Sequence, residues 1–204
     1  MYQSLIVVDD FYPNPYEIRK IALSSDYPEI TGKRTFPGRN SSKSHIVPGL
    51  DRVMSHILSE PAVGSTDPRS LHGFFRITHE GERGRFGVHV DATSQQWVGV
   101  IYLNPPEQCQ GGTSFFRHIG MGIDRTPLTD AELNAYGASS ILDLLEKEGN
   151  DPSKWERLMT VPMRFNRLIM YRPWIWHAPG DPFGNTIENS RLIQLLSFAT
   201  EGQT

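Results

Sequence analysis

The segment Gly87-Val88-His89-Val90-Asp91 sets an imidazole and a carboxylate two residues apart. On an extended chain such residues share a face, so His89 and Asp91 can offer a nitrogen and an oxygen to one cation. A third ligand has to come from elsewhere, and His177, in Trp174-Ile175-Trp176-His177-Ala178-Pro179, is the best candidate. Two imidazoles and one carboxylate on one octahedral face leave three positions open, the set suited to non-haem Fe(II). A lone His-x-Asp also fits a hydrogen-bonded pair at a strand end, so the spacing needs support from the rest of the chain. Fourteen residues beyond His177, Arg191 opens the run Arg191-Leu192-Ile193-Gln194-Leu195-Leu196-Ser197-Phe198. A guanidinium heading so apolar a strand is costly in a core unless it meets an anion, and its fork matches a carboxylate through two parallel charge-assisted hydrogen bonds. The plainer expectation puts Arg191 outside the core, paired with Glu188 or water.

The elements that must position these residues are short. Leu5-Ile6-Val7-Val8 reads as a strand. Asn14 as N-cap, Pro15 at the first helical position and Glu17 in the first turn start a helix with Ile18, Ile21 and Ala22 on one face. Leu50, Val53, Met54, Ile57 and Leu58 recur at helical spacing over 50–59. Strands are expected near 71–79, 85–91, 97–104, 113–118, 164–171, 174–178 and 190–199, with Val98, Val100 and Tyr102 alternating as a sheet requires. Between Thr126 and Trp155 the pattern turns helical, with Thr129 and Glu132 as a capping box; this reads as a helical insertion over about 126–158. From Thr31 to Leu50 there is no acidic residue, but Lys33, Arg34, Arg39 and Lys43 are present. That stretch is expected to be a solvated loop; its sharper reading is a lid over an anionic substrate. The expected architecture is α+β, with N-terminal helices and a jelly-roll, cupin-like core over about 70–199.

His89-Val90-Asp91 is followed by Ile101-Tyr102-Leu103-Asn104, Gly111-Gly112-Thr113-Ser114-Phe115-Phe116, Phe165-Asn166-Arg167-Leu168-Ile169-Met170-Tyr171, His177 and Arg191. In this order the chain resembles the Fe(II)/2-oxoglutarate-dependent dioxygenases, most nearly their prolyl-hydroxylase-like branch, over roughly 70–199. The resemblance implies a double-stranded β-helix core and Fe(II) held by His89, Asp91 and His177. It also implies 2-oxoglutarate and O2 as co-substrates, with Arg191 on the distal carboxylate of 2-oxoglutarate assisted by the Tyr102 hydroxyl. Related halogenases carry a small residue in place of the carboxylate; Asp91 is retained, which favours oxygen insertion or another oxidation. One departure is that Arg191 is followed by Leu192-Ile193, where some members have Arg-x-Ser.

His118, Arg117 and Trp176 are candidates for substrate contact, although a hydrogen-bonded histidine, a salt-bridged arginine and a packing tryptophan are the plainer expectations. At 204 residues, 38% hydrophobic and 21% charged, the chain suits one domain spanning 1–204. A net charge of −3 argues against a nucleic-acid partner. The single cysteine, Cys109, excludes an internal disulfide and a cysteine-rich zinc site. The apolar run Leu5–Val8 is too short for a signal peptide or membrane span, so a soluble cytoplasmic protein is expected. The leading expectation is an oxygenase hydroxylating a small molecule such as an amino acid. The alternatives are a peptidyl, prolyl-type hydroxylase and a non-catalytic jelly-roll metal-binding protein. The oligomeric state is not legible in the sequence.

Overall fold

A computed structural model describes residues 2–29, 35–67, 69–91 and 95–199. Two antiparallel sheets face each other. The larger runs in the order β1 (Leu5–Val8), β8 (Leu168–Tyr171), β5 (Trp97–Tyr102), β10 (Arg191–Ala199), β4 (Phe74–Thr78) and β2 (Arg39–Ser44), with the short β3 (Val63–Gly64) paired to β10. The smaller has the order β7 (Trp155–Pro162), β6 (Gly112–His118), β9 (His177–Pro179). A single bridge from His89 to His177 extends it by one more extended segment. From β5 onward the chain passes repeatedly between the sheets, which makes the architecture an antiparallel, sheet-rich, jelly-roll-like α+β fold.

Two apolar layers explain why the central strands are so rich in Val, Ile and Leu. On the outer face of the large sheet, α1 (Pro15–Leu23) and α2 (Leu50–Leu58) press Ile18, Ala22, Met54 and Leu58 onto Phe75, Ile77, Ile101, Met170, Leu192 and Phe198. On the inner face Val98, Val100, Tyr102, Ile169, Tyr171 and Ile193 meet Phe115, Val161, Met163 and Phe183 of the opposite layer. A strand covered on both faces loses the alternation of a half-exposed one, and all six residues of β5 are buried. Gly99 marks a close approach of β5 to β8: a Cβ there would stand 2.1 Å from the Ile169 carbonyl oxygen.

Asn14 takes the N-cap position of α1 without a side-chain capping bond, and Pro15 follows it. Arg19 fastens this helix to the sheet by donating to the Leu103 and Glu188 carbonyls at 2.8 and 2.7 Å. In the insertion, Thr129 caps α3 (Asp130–Ala135) by accepting from the Glu132 amide at 3.2 Å, and α4 (Ile141–Glu148) follows. The Glu132 carboxylate turns back to the Leu128 amide.

Three expectations are corrected. Residues 39–44 of the supposed loop form strand β2, an edge strand whose polar sequence Arg-Asn-Ser-Ser-Lys-Ser carries no hydrophobic alternation; Lys33 and Arg34 of that stretch lie outside the described residues. The helical insertion ends before Trp155, because 155–162 form β7, another edge strand with most side chains exposed. Residues 85–91 make one isolated bridge in place of a full strand. Among the described residues no helix is long and apolar enough to cross a membrane.

Candidate metal centre

His89 and His177 face one another across the bridge, each donating its backbone N–H to the other's carbonyl, at 2.9 and 3.0 Å. This reciprocal pair fixes both residues side by side and leaves their rings 4.5 Å apart between centroids. Asp91, two residues on, is tied by its backbone N–H to the Pro173 carbonyl at 3.0 Å. Its carboxylate stands 3.3 Å from His177 Nε2. One donor atom from each of the three lies within 4.8 Å of the others, the only such trio of possible metal ligands among the described residues.

The surroundings orient these donors. His177 Nδ1 lies 2.9 Å from the Ile175 carbonyl and His89 Nδ1 lies 3.3 Å from the Gly87 carbonyl. A carbonyl only accepts, so an Nδ1–H is the group that can donate to it, the arrangement that frees Nε2 for a cation when one is bound. Tyr171, at the end of β8, donates its hydroxyl to Asp91 Oδ2 at 3.2 Å. Burial pushes the His89 imidazolium down to about 4, helped by His177 and opposed by Asp91, so the ring is neutral near pH 7. Burial also works to raise the Asp91 carboxyl, but His177, His89 and the Tyr171 hydrogen bond outweigh it and hold it down at about 2. Two imidazoles and one carboxylate form a donor set fit for a divalent cation.

The trio opens into a cavity of about 360 Å³, near the small end of ligand pockets. Val98, Val100, Ile193 and Leu195 give it apolar walls, and Arg191, Arg76 and Thr78 bring polar groups to the large-sheet side. Arg191 is 3% exposed. It is not paired with Glu188, whose carbonyl instead receives Arg19. Its Nε has no hydrogen-bond partner, and neither has the hydroxyl of Thr78, the residue opposite Arg191 in the β10–β4 register. Burial pulls the guanidinium's affinity for its proton below the usual range, while Tyr102 and Tyr171 partly restore it. Tyr102 is fully buried behind Arg191, its ring centroid 5.7 Å from the guanidinium carbon, and its hydroxyl is 2.7 Å from that of Thr113. Two buried polar atoms left open on one cavity wall are unusual, and both suit an anionic, hydrogen-bonding ligand.

His89, Asp91, His177 and Arg191 therefore meet around one cavity, with Tyr102 in support. The three residues considered for substrate contact do not join them. Ser114, Phe116 and His118 share one face of β6, but it is Thr113 and Phe115 that face inward. His118 is fully buried on the other side, bonded to Glu148 at 2.8 Å and packed edge-on against Trp155, so it anchors α4 to the small sheet. Arg117 is half exposed and pairs with Glu156 at 3.3 Å. Trp176 neighbours a ligand in sequence, but adjacent strand residues face opposite ways; it packs on Trp155 with no exposure. Sequence reasoning missed Tyr171, Thr78 and Arg76. The rule applied to Arg191, a charge inside an apolar strand, would also have singled out Arg76 in Phe74-Phe75-Arg76-Ile77-Thr78.

A model of a family of unknown function, DUF6445, matches residues 2–182. No curated protein matches the sequence. Among solved structures, the chain is similar to the crystal structure of the non-heme alpha ketoglutarate dependent carbocyclase SnoK from nogalamycin biosynthesis. The identity is 14%, the match covers 97% of this chain and 80% of that chain, and the TM-score is 0.51. At that identity the likeness speaks for the fold.

Proposed function

We propose that this chain, which belongs to the family of unknown function DUF6445, is an Fe(II)- and 2-oxoglutarate-dependent oxygenase acting on a C–H bond of a small organic molecule. The observation that carries the reading is a His-Asp-His donor set sharing one cavity with a buried arginine whose Nε is unpaired. The fold of SnoK, a protein titled as non-heme and alpha ketoglutarate dependent, supports it. In this reading the two sheets form a double-stranded β-helix and the chain is a single catalytic domain. When bound, Fe(II) with 2-oxoglutarate supplies the oxidising chemistry: O2 is consumed, 2-oxoglutarate leaves as succinate and CO2, and the substrate C–H gains one oxygen atom.

The protein's own share is positional. His89 and His177 present their Nε2 atoms, and Asp91 presents an ionised oxygen held by Tyr171. Arg191 receives the distal carboxylate of 2-oxoglutarate through its fork, with the Thr78 hydroxyl beside it and Tyr102 behind. Val98, Val100, Ile193 and Leu195 exclude water around the reacting carbon. The cavity volume favours a metabolite over a peptidyl, prolyl-type substrate.

The test is succinate release from 2-oxoglutarate by the Fe(II)-loaded protein in air, screened with amino acids, organic acids and short peptides. Wild type should form succinate, while His89→Ala and His177→Ala should not. Full activity in either variant would refute the site. Metal binding without succinate under any condition would leave a non-catalytic metal-binding jelly roll.

A further inference from the structure

A second guanidinium on the large sheet joins that of Arg191 at the cavity. Arg76 lies on β4 and Arg191 on β10, hydrogen-bonded neighbours in which Arg76 pairs with Ile193 and Thr78 with Arg191. The two arginines are thus diagonal neighbours on one face. If Arg191 holds the distal carboxylate of 2-oxoglutarate, Arg76 has no assigned task.

Arg76 is nevertheless held as a binding group would be. Its Nε donates to Asn40 Oδ1 at 2.7 Å, and its guanidinium carbon lies 3.7 Å from the centroid of the Phe36 ring. Anchoring at Nε and stacking on one face leave the two terminal nitrogens, which make no hydrogen bond to any described residue. Those two nitrogens form the end-on fork that matches the two oxygens of a carboxylate. Burial lowers this guanidinium's value to about 10, with Asp91 opposing and Arg191 reinforcing the shift, so it is still cationic near pH 7.

Charge balance points the same way. Among the described residues lining the cavity, Asp91 is the one carboxylate. A third lining arginine, Arg69, is exposed and neutralised by Asp67 at 2.8 Å. A divalent metal with Arg76, Arg191 and Asp91 carries three net positive charges, and doubly charged 2-oxoglutarate cancels two. One positive charge remains beside Arg76 in a small, largely apolar space, where an unpaired charge is costly.

We propose that Arg76 binds a carboxylate of the primary substrate, so that the oxygenase acts on a small organic acid and not on a neutral or cationic molecule. The inference rests on the oxygenase reading and deepens it. Arg76 acts on specificity: its fork pins the acid group on β4, and the C–H to be oxidised is the one that then reaches the space in front of His89, Asp91 and His177.

The experiment reads binding, not turnover. Protein loaded with Zn(II), a redox-silent stand-in, and 2-oxoglutarate is screened by saturation-transfer NMR against amino acids and short hydroxy and oxo acids, each paired with its primary amide. Acids should bind wild type and their amides should not. Arg76→Met, which keeps the stem on Phe36, should weaken acid binding about tenfold or more while 2-oxoglutarate affinity is retained. Should Arg76→Met fail to fold, Arg76→Lys, charged but without the fork, is expected to show the same pattern of weaker acid binding and retained 2-oxoglutarate. Equal binding of acids and amides, no acid bound, or unchanged acid binding in the variant overturns the proposal. Loss of 2-oxoglutarate itself in the Arg76 variants also overturns it, because Arg76 would then serve the co-substrate. A wild type that binds neither Zn(II) nor 2-oxoglutarate fails at the earlier step, and the oxygenase reading falls with it.

Discussion

Replacing Arg191 by Met should move stability and ligand affinity in opposite directions. In the free protein this guanidinium is 3% exposed with its Nε unpaired, and Arg76 adds a second positive charge to the same wall. Met keeps the volume of the stem and removes a buried charge. Exchanging buried ionic groups for apolar ones of similar volume stabilises by about 1–4 kcal/mol, and an unpaired charge belongs in that range. For a chain of this size each kcal/mol corresponds to roughly 2–4 °C in Tm, so the metal-free variant should melt several degrees above wild type. Affinity for 2-oxoglutarate should fall, because truncating one partner of a buried, hydrogen-bonded charge pair costs about 2–5 kcal/mol. That is roughly a 30- to 4,000-fold rise in Kd. Calorimetric titration of the Zn(II)-loaded protein with 2-oxoglutarate gives the second quantity and a thermal melt the first. A variant that is destabilised yet binds 2-oxoglutarate unchanged would make Arg191 a structural arginine and leave the cavity without its anion site.

Two further outcomes follow from the geometry. His89 sits at about 4 in the folded protein against an ordinary 6.5, so between those values the unfolded chain takes up a proton that the native state refuses. Stability of the metal-free protein should therefore fall as pH drops through that window, and Asp91 should add a second loss between 3.8 and about 2. His89→Gln should flatten the upper part of the Tm–pH curve, and an identical slope in the variant would contradict the assigned shift. Gly99→Ala would drive a methyl into the Ile169 carbonyl oxygen and the Met170 sulfur between β5 and β8. A loss of about 1–3 kcal/mol is expected, and an unchanged melting temperature would show that the two strands can part at little cost.

What was legible in the sequence follows from which physical signals a residue string carries. Helices α1 and α2 announce themselves because one face of each is buried, Ile18 and Ala22 in the first, Leu50, Met54 and Leu58 in the second. Strands β5 and β10 are readable as apolar runs because both of their faces are covered. Strands β2 and β7 are not, since each lies at a sheet edge with side chains largely in solvent and nothing in it has to alternate. The His-x-Asp spacing put His89 and Asp91 in one cluster although 85–91 is not a ladder strand; an extended backbone is enough to put alternate residues on one side. His118 shows the limit of the same rule. Periodicity groups it with Ser114 and Phe116 but does not say which face meets the other sheet, and that depends on Thr113 and Phe115 packing inward. The polar sequence of β2 also hid Asn40, and with it the group that orients Arg76.

The two sheets divide the labour of the candidate site. His89 and His177 belong to the small-sheet side, where backbone hydrogen bonds set their spacing. Arg191, Arg76 and Thr78 belong to the large sheet, whose spacing is set by the β10–β4 ladder. Among the described residues, Tyr171 is the one that hydrogen-bonds from the large sheet to the donor trio, at Asp91. A ligand that chelates a cation at one end and meets a guanidinium at the other must therefore span the gap between two independently built walls. A dicarboxylate with an oxo group beside one carboxyl has that form: two oxygens to chelate, an aliphatic stem to lie along Val100 and Ile193, and a second carboxylate for Arg191. A monocarboxylate could satisfy only one wall. In the proposed oxygenase the orphaned Nε of Arg191 is the polar half of a site whose other half is the His-Asp-His trio, and neither half explains the cavity without the other.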